Sequence, residues 1–305
     1  MAAPAENDVV PDSERRGLVG ALPRPIRPYA SLMRLDRPIG AWLLFWPCAW
    51  SVALAGIGPS GVALILWLAL GAWAMRSAGC VWNDIVDRDL DARVERTRLR
   101  PLASGRAGLK GALVLLAALC LVGLAVLLQL GRTAQVVALA SLAPVAAYPF
   151  MKRITWWPQA WLGLVFSWGA LVGWAAVRGE LDLIPVMLWV GSIFWVIGYD
   201  TIYALQDRED DALVGVKSSA LALGRHARTG VAACYAVALV FWAIALWRVR
   251  PDGLALAALL PVAGHLGWQV AGLRADDGGD ALARFRSNRM AGFILFLACL
   301  VVGTS

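Results

Sequence analysis

The chain has 305 residues, of which 60% are hydrophobic and 16% charged, and its mean hydropathy is +0.65. In soluble proteins about a quarter of the residues are charged. The composition of this chain therefore excludes a disordered chain, a soluble nucleic-acid-binding domain and a small disulfide-stapled scaffold. It indicates an integral membrane protein, in which the formal net charge of +7 is expected to orient the chain rather than to bind nucleic acid.

The first 38 residues are polar and precede the first long apolar stretch. They mix acidic residues with arginines and prolines, and they lack the apolar core of a cleavable signal peptide. Mitochondrial transit peptides are poor in acidic residues, so Glu6, Asp8, Asp12 and Glu14 also argue against one. We therefore expect residues 1–38 to form a cytoplasmic tail and residues 39–305 to form one transmembrane domain.

Nine apolar stretches follow, each approaching the length of about 20 residues that crosses a bilayer as a helix. They lie at about residues 40–57, 61–82, 109–129, 133–150, 160–177, 183–203, 230–247, 254–272 and 289–303. The five cysteines are scattered among them, with no spacing typical of a metal site or a disulfide pair. This pattern predicts an all-α, polytopic membrane protein.

The basic residues divide unequally between the two sides of such a bundle. With nine helices, 23 of the 28 Lys and Arg residues lie in or beside the segments that share a side with the N-terminus. Four arginines fall on the other side, and Arg76 lies within an apolar stretch. We expect the protein to lie in a bacterial inner membrane. The positive-inside rule then places its N-terminus in the cytoplasm and its C-terminus in the periplasm. For Arg76, a function and a side chain snorkelling to the interface are equally good interpretations.

Acidic residues concentrate in two segments, each at the end of an apolar stretch. In the first segment Asn83, Asp87 and Asp91 are spaced to share one face of a helix, with Asp84 beside them. In the second, residues 200–211, the face is shared by three aspartates, namely Asp200, Asp207 and Asp211. The two segments are 120 residues apart, and each is followed by a basic stretch. Four predicted helices separate the two segments, so both segments lie on the same side of the membrane. We expect them to face each other across the bundle.

Carboxylates that share a helix face repel each other unless a cation lies among them. Oxygen ligands without His or Cys favour Mg²⁺ or Ca²⁺ over zinc or copper, and Mg²⁺ usually binds through carboxylates together with substrate phosphates. The two segments therefore predict a divalent cation and a phosphorylated ligand. Solvated loops whose charges merely avoid lipid are the simpler alternative, but ionisable residues that begin within an apolar stretch are usually functional.

These motifs resemble those of a known family. The first segment matches N-D-x-x-D-x-x-x-D, and the second matches D-x-x-x-D, of the UbiA-type membrane aromatic prenyltransferases. Three further stretches, at residues 34–40, 148–153 and 198–218, are similar to the branch of this family that prenylates 4-hydroxybenzoate in ubiquinone biosynthesis. The resemblance extends from about residue 30 to the end of the chain.

The resemblance implies a bundle of nine transmembrane helices around a central cavity, which makes residues 39–305 a transmembrane prenyltransferase domain. It implies Mg²⁺-dependent transfer of a polyprenyl group from polyprenyl diphosphate to the ring carbon ortho to the hydroxyl of 4-hydroxybenzoate. The implied metal ligands are Asn83, Asp84, Asp87, Asp91, Asp207 and Asp211. Basic residues of the flanking stretches are expected to bind the substrates, namely Arg93, Lys152 and Lys217.

The remaining implied roles concern the allylic cation, the acceptor and the base. Aromatic rings at Tyr148, Tyr199 and Tyr203 are plausible neighbours of the cation. Arg153 is the first choice, and Arg34 the second, to bind the acceptor carboxylate, because a guanidinium suits a planar carboxylate. The positive-inside rule alone, however, also places arginines at such helix ends. Asp200 either orients or deprotonates the acceptor, or it only holds a basic neighbour. We count Asp200, Arg153 and Tyr203 as the catalytic candidates.

Other functions stay open at this stage. Within the same family the acceptor can be homogentisate, a naphthoate, chlorophyllide or haem. A secondary transporter is also a polytopic bundle with repeats, but its site lies near the membrane midplane, whereas these acidic residues gather at helix ends. The contiguous D-x-x-D-G-x-x-A-R motif of CDP-alcohol phosphotransferases is missing from the sequence. Membrane lipid is the expected surrounding, and the sequence predicts neither the prenyl chain length nor an oligomeric state.

Overall fold

A computed structural model describes residues 18–93, 97–208 and 217–304, and for Leu18, Lys152 and Asp207 it describes the backbone alone. Within these ranges every regular element is helical. The α-helices are, in chain order, α1 (Leu18–Ala21), α2 (Arg27–Leu32), α3 (Ile39–Leu54), α4 (Gly61–Val86), α5 (Arg88–Asp91), α6 (Leu109–Leu127), α7 (Arg132–Ala140), α8 (Leu142–Ile154), α9 (Pro158–Ser167), α10 (Gly169–Arg178), α11 (Leu183–Ala204), α12 (Ser219–Leu223), α13 (Ala227–Val249), α14 (Gly253–Ala257), α15 (Leu260–Ala271) and α16 (Gly278–Gly303). Two 3₁₀ turns, Leu205–Asp207 and Gly224–His226, follow α11 and α12.

Eight helical spans in the described ranges are long and apolar enough to cross a membrane. They are Gly61–Val86, Leu109–Leu127, Arg132–Met151, Pro158–Arg178, Leu183–Ala204, Ser219–Val249, Gly253–Ala271 and Gly278–Gly303. The apolar helix α3 has 16 residues and corresponds to the first predicted stretch. The prediction of an all-α, polytopic protein with about nine transmembrane helices is therefore confirmed.

Large apolar side chains cover the outer faces of these helices. Val62, Leu66, Val114, Leu128 and Leu260 are each at least 65% exposed. In a soluble protein such continuous exposure of apolar surface marks an interaction site, whereas on helices of this length it is the surface expected to meet lipid.

Short polar side chains cap several helices where they leave the apolar zone. Asp182 Oδ1 accepts a hydrogen bond from the Ile184 amide at 2.8 Å, and Asp277 Oδ1 accepts one from the Asp280 amide at 3.0 Å. Asp252 caps α14 in the same way, and the hydrogen bond from Arg250 lowers the pKa of its carboxyl below the usual value. These caps satisfy amides that the helix itself leaves without partners.

The chain divides into two compact units. The first contains the described residues up to Ala41 together with Leu70–Ala125. Its core joins α2, α4, α6 and the connection that precedes α6, through a cluster formed by Leu32, Ala78, Val81, Leu102, Ala107, Ala112 and Leu119. Because α4 and α2 belong to this core, the start of the first Asp-rich segment is held against the residues that follow α2.

The second unit contains Trp42–Ala69 and the described residues from Val126 onward. Helix α11 lies at its centre and packs most extensively against α13 and α9. Glycines on α11 permit this close approach, since a Cβ added at Gly191 would lie 2.7 Å from Trp242, and one at Gly198 would lie 2.7 Å from Tyr235. Helix α11 also carries Asp200, so this packing fixes the start of the second Asp-rich segment.

Candidate active site

The first Asp-rich segment continues as a helix beyond the end of α4. The amide of Asp87 donates to the carbonyl of Asn83 at 2.9 Å, and the amide of Asp91 donates to the carbonyl of Asp87 at 2.8 Å. These bonds are one helical turn apart, so Asn83, Asp87 and Asp91 lie in a row on one face. Asp87 is fully buried and Asp91 nearly so, which places two carboxylates of the row away from bulk solvent.

Two arginines pair with aspartates of this segment. Arg34 Nη2 contacts Asp84 Oδ1 at 2.6 Å, and Arg100 Nη1 contacts Asp91 Oδ2 at 2.8 Å and Asp84 Oδ1 at 3.5 Å. The side chain of Asp84 is only 1% exposed and that of Arg34 is 12% exposed. A buried carboxylate without a partner is very unfavourable, so these contacts compensate for the burial of Asp84 and Asp91.

Arg34 has an unusual backbone conformation. Its φ of 57° makes it the only residue other than glycine with positive φ in the described part of the chain. The amide of Arg34 donates to the Ser31 carbonyl at 3.0 Å, and the amide of Leu35 donates to the Ala30 carbonyl at 3.1 Å, so the chain turns sharply as α2 ends. Such strain persists where the surroundings enforce it and often marks functional positions. Here it directs the guanidinium towards Asp84.

The first segment suits a hard divalent cation, which the family resemblance implies. Its candidate ligand atoms are all oxygens, from the Asn83 amide and three aspartates. Asp84 Oδ2 is buried and lacks a hydrogen-bond partner, while the other oxygen of this carboxylate holds Arg34. Among the residues that the structure describes, no cluster of three acidic, His or Cys side chains forms a complete metal site. A metal at this segment therefore requires further ligands, such as phosphate oxygens or side chains outside the described set.

The second Asp-rich segment begins on α11 and is described only in part. Asp200 lies near the end of α11 and is half-buried, and Asp207 ends the following 3₁₀ turn. Asp211 lies outside the described residues, so its predicted role as a metal ligand stays a prediction. Arg208, directly after Asp207, pairs with Asp276 at 3.2 Å.

Aromatic rings surround this end of α11. The ring centroids of Trp195 and Tyr199 are 4.9 Å apart in an edge-on arrangement. Phe285 of α16 packs against both predicted aromatic residues, at 5.8 Å from Tyr199 and 4.6 Å from Tyr203. Tyr199 is buried and Tyr203 is half-buried. The structure thus brings two of the three predicted tyrosines into one aromatic cluster in the second unit.

The basic stretch after the second segment is anchored beside α11. The Ser219 hydroxyl lies 2.7 Å from the Thr201 hydroxyl, and the Ser219 amide donates to Gln159 Oε1 at 3.0 Å. Lys217, two residues earlier, donates to the Ile154 carbonyl at 3.4 Å and lies 5.7 Å from the Trp156 ring. This anchoring was not predicted, because a buried Gln and two hydroxyl groups carry no distinctive sequence signal.

The stretch from Tyr148 to Arg153 forms the last turns of α8. Tyr148 is half-buried, and Arg153 is exposed with its guanidinium 6.0 Å from the Phe150 ring. The side chain of Lys152 lies outside the described atoms. Arg93 is exposed at the end of the first segment. The substrate-binding roles of these residues stay predictions, and so do the ligand roles in both Asp-rich segments.

Arg100 and Gly40 were not singled out by sequence reasoning. Arg100 lies nine residues after Asp91, in the connection between α5 and α6, and contacts two aspartates of the first segment. These contacts depend on how that connection folds, so the sequence does not reveal them. Gly40 lies against the Arg76 side chain, since a Cβ added there would be 2.5 Å from Arg76 Nε. Arg76 also donates to the Cys80 sulfur one turn further along α4. The Arg76 guanidinium is thus held within the first unit by its own helix and by the start of α3.

The sequence of this chain is similar to those of a known protein family. Residues 44–300 match the UbiA prenyltransferase family. The chain is 46% identical over 286 residues to the mitochondrial 4-hydroxybenzoate polyprenyltransferase of Caenorhabditis elegans, covering 92% of this chain and 79% of that protein. It is 42% identical over 288 residues to the protein of the same name from Arabidopsis thaliana, covering 93% of this chain and 70% of that protein. The resemblance inferred from the motifs is confirmed.

Solved structures share the fold. The apo structure of a UbiA homologue from Aeropyrum pernix K1 matches with a TM-score of 0.70 and 24% identity, covering 85% of this chain and 97% of that chain. A UbiA homologue from Archaeoglobus fulgidus, solved with GPP and Mg²⁺ bound, matches with a TM-score of 0.64 and 18% identity over 90% of this chain and 99% of that chain. At this level of identity the likeness shows the fold alone.

The predicted location is wrong. The relatives from Caenorhabditis elegans, Drosophila melanogaster and Arabidopsis thaliana are all named as mitochondrial proteins, which contradicts a bacterial inner membrane. The error has a physical origin, because charge asymmetry reports on which side a loop lies and not on which membrane the bundle occupies. The polytopic membrane character itself is supported by the eight spans.

Proposed function

The chain belongs to the UbiA prenyltransferase family, and on this premise we propose that it transfers a polyprenyl group from polyprenyl diphosphate to 4-hydroxybenzoate. The new bond joins C1 of the prenyl chain to the ring carbon ortho to the hydroxyl. The likeness to 4-hydroxybenzoate polyprenyltransferases over more than nine-tenths of the chain carries this proposal. In this function the protein supplies the prenylated aromatic acid for ubiquinone biosynthesis, in a mitochondrial membrane.

The first Asp-rich segment supports the donor half of the reaction. Asn83, Asp87 and Asp91 offer oxygens in a row, and Asp84 Oδ2 lacks a hydrogen-bond partner. These residues would hold Mg²⁺, and Asp207 and Asp211 are the metal ligands expected of the second segment. When bound, Mg²⁺ neutralises diphosphate oxygens and stabilises the charge that develops on the leaving group. Arg34 and Arg100 hold two of the carboxylates in place before the donor arrives.

The acceptor half of the reaction needs a cation, a base and a dry environment. Arg153 is exposed at the end of α8 and offers a planar guanidinium to the acceptor carboxylate. Tyr199 and Tyr203 flank the allylic carbon, where aromatic faces stabilise positive charge and exclude water. Loss of the ring proton after attack restores aromaticity, and Asp200 is placed one residue after Tyr199 to receive it or to orient the acceptor.

Product analysis tests the reaction directly. Purified protein in lipid nanodiscs is supplied with Mg²⁺, prenyl diphosphates of several lengths, and 4-hydroxybenzoate deuterated at both positions ortho to the hydroxyl. We expect a product that carries the prenyl group and has lost one deuterium. A product that retains both deuterium atoms would indicate transfer to oxygen, and its formation would overturn the proposed ring attack.

A parallel set of acceptors tests specificity within the family. Homogentisate and 1,4-dihydroxy-2-naphthoate are offered separately under the same conditions. We expect prenylated product from 4-hydroxybenzoate at the highest kcat/KM. A higher kcat/KM for another acceptor would retain the prenyl transfer and replace the proposed substrate.

A further inference from the structure

A buried polar cluster joins four helices of the second unit. The Trp195 indole of α11 donates to Asn288 Oδ1 of α16 at 2.9 Å, and Asn288 Nδ2 donates to Gln269 Oε1 of α15 at 3.3 Å. The Tyr235 hydroxyl of α13 donates to the same Gln269 oxygen at 2.7 Å. All four side chains are at most 2% exposed. Each hydrogen bond thus satisfies a polar atom that has no access to water.

The cluster adjoins an aromatic stripe on α11. Trp195, Tyr199 and Tyr203 lie one helical turn apart and therefore share one face of the helix. Phe285 of α16 packs against the two tyrosines. The stripe runs towards the 3₁₀ turn Leu205–Asp207, where the second Asp-rich segment continues. The cluster and the second segment are thus at opposite ends of one continuous row of rings.

Asn288 forms hydrogen bonds with residues of both helices that carry this row of rings. Its side-chain oxygen accepts the hydrogen bond from Trp195, and its Nδ2 also donates to the Phe285 carbonyl at 3.2 Å. Trp195 is held from its other side by Trp50, whose ring centroid lies 5.1 Å away, and Trp50 donates to the Gly292 carbonyl at 2.8 Å. A single amide therefore connects the helix that carries the tyrosines to the helix that carries Phe285.

We propose that Asn288 is a positioning residue for prenyl transfer. By fixing Trp195 and the turn that carries Phe285, it keeps Tyr199 and Tyr203 as a rigid aromatic wall beside the allylic carbon. This inference rests on the proposed function, in which the two tyrosines flank that carbon. Asn288 is fully buried and hydrogen-bonded to Trp195, so it would act on the substrate through the rings and not by contact.

The chemistry gives this role a distinct readout. When the bond between C1 and the diphosphate oxygen breaks, the electron pair leaves with the diphosphate, and C1 accepts a new pair from the acceptor ring or from water. Capture by water releases a proton and yields the prenyl alcohol instead of the prenylated acid. A rigid wall excludes water from C1, so loosening the wall raises the ratio of alcohol to prenylated acid. A purely structural defect reduces the amount of active protein and leaves this ratio unchanged.

The test uses variants that break the Trp195 hydrogen bond from either side. Asn288→Leu removes the amide, and Trp195→Phe removes the indole donor while keeping an aromatic ring. The matched control is Trp189→Phe on the same helix, because the Trp189 indole donates to the Leu164 carbonyl at 3.4 Å and its ring packs against Trp168, which is not part of the stripe. Alcohol and prenylated acid are quantified together at saturating acceptor. We expect the ratio to rise several-fold in Asn288→Leu and in Trp195→Phe, and to stay at the wild-type value in Trp189→Phe.

Parallel tyrosine variants separate this inference from the function on which it rests. Tyr199→Leu and Tyr203→Leu should raise the ratio as well. If they raise it while Asn288→Leu and Trp195→Phe do not, the positioning role is overturned and the aromatic wall stands. If none of the four changes the ratio, both ideas fail. Failure of the proposed function is distinguishable, since the wild-type protein would then form no prenylated acid.

Discussion

Asp84 is almost completely buried, and Arg34 and Arg100 stabilise its charge in place of solvent. Asp91 shares Arg100 with Asp84, and Asp87 lies between Asn83 and Asp91 in the helical row. The first segment is therefore a set of charged groups held together before any substrate binds. This preorganisation favours substrate binding, because the side chains are already ordered when the protein folds and lose little conformational entropy on binding.

Loss of the Asp87 carboxylate should slow turnover strongly. Asp87→Asn keeps the size of this buried side chain and removes its charge, so the rate should fall by about 10²-fold or more, as expected when several kcal/mol of charge stabilisation are lost. Asp207→Ala should have the same effect. Asp89→Ala is the control, because Asp89 is 79% exposed in the same segment and pairs with Arg88 at the surface. Full activity of Asp87→Asn, or of the wild type in excess EDTA, would contradict a carboxylate-bound metal.

Arg34 combines a buried ion pair with a left-handed backbone, and two substitutions separate these features. Arg34→Ala and Arg34→Gly both remove the nearer of the two arginines at Asp84, so each should destabilise the protein, by at most about 3–5 kcal/mol because Arg100 remains. Gly adopts positive φ without strain, so Arg34→Gly should be less destabilising by about 1 kcal/mol. Thermal unfolding in one detergent measures the difference. Equal melting temperatures would show that the φ of 57° places no constraint on this position.

Arg153 should affect the acceptor and not the donor. If it pairs with the acceptor carboxylate, Arg153→Ala removes a charge-assisted contact of about 1.5–3 kcal/mol and should raise KM for 4-hydroxybenzoate by one to two orders of magnitude. Arg153→Lys should restore part of this loss. Arg178→Ala is the matched control, because both guanidinium groups lie 6.0 Å from an aromatic ring. A raised KM for the diphosphate with an unchanged KM for the acceptor would move Arg153 to the donor site and favour Arg34 for the carboxylate.

Helix α11 is the element that organises the second unit. One face carries the aromatic stripe, and Thr201 connects the helix through Ser219 to the stretch that holds Lys217. Its glycines let α13 approach closely. An apolar helix in lipid gains little from burying more apolar surface, so close packing and interhelical hydrogen bonds must hold this unit together.

Adding a methyl group to this interface should be destabilising. In Gly198→Ala the new Cβ would lie 2.7 Å from Tyr235 Cδ1, and such overpacking costs about 1–3 kcal/mol. Gly267→Ala on α15 is the control, because nothing lies within 4 Å of its Cβ position. In that variant the higher helix propensity of Ala should stabilise the protein by about 0.5–1 kcal/mol. Thermal unfolding of both variants should therefore shift in opposite directions, and a stabilised Gly198→Ala would show that the interface is loosely packed.

At the scale of the whole molecule, charge asymmetry predicts that both Asp-rich segments lie on one side of the membrane. Single cysteines at Ser104 and His226, in a background without the five native cysteines, report on the two segments. A cysteine at Glu180 reports on the opposite side. In sealed vesicles of uniform orientation, an impermeant thiol reagent should label the first two from the same side and the third from the other. Labelling of Ser104 and His226 from different sides would contradict this topology.

Apolar length, helix-end aspartates and charge asymmetry are local or additive properties, so the sequence alone determined the helical membrane fold, the two acidic segments and the family. The row formed by Asn83, Asp87 and Asp91 follows from helix geometry in the same way. Only tertiary structure decided which arginines neutralise the first segment, since Arg34 and Asp84 are 50 residues apart and a partner at that distance has no local signal. The link from Trp195 to Asn288 spans 93 residues and depends on how α11 packs against α16. Packing selects such partners because buried polar atoms must be satisfied wherever the helices place them.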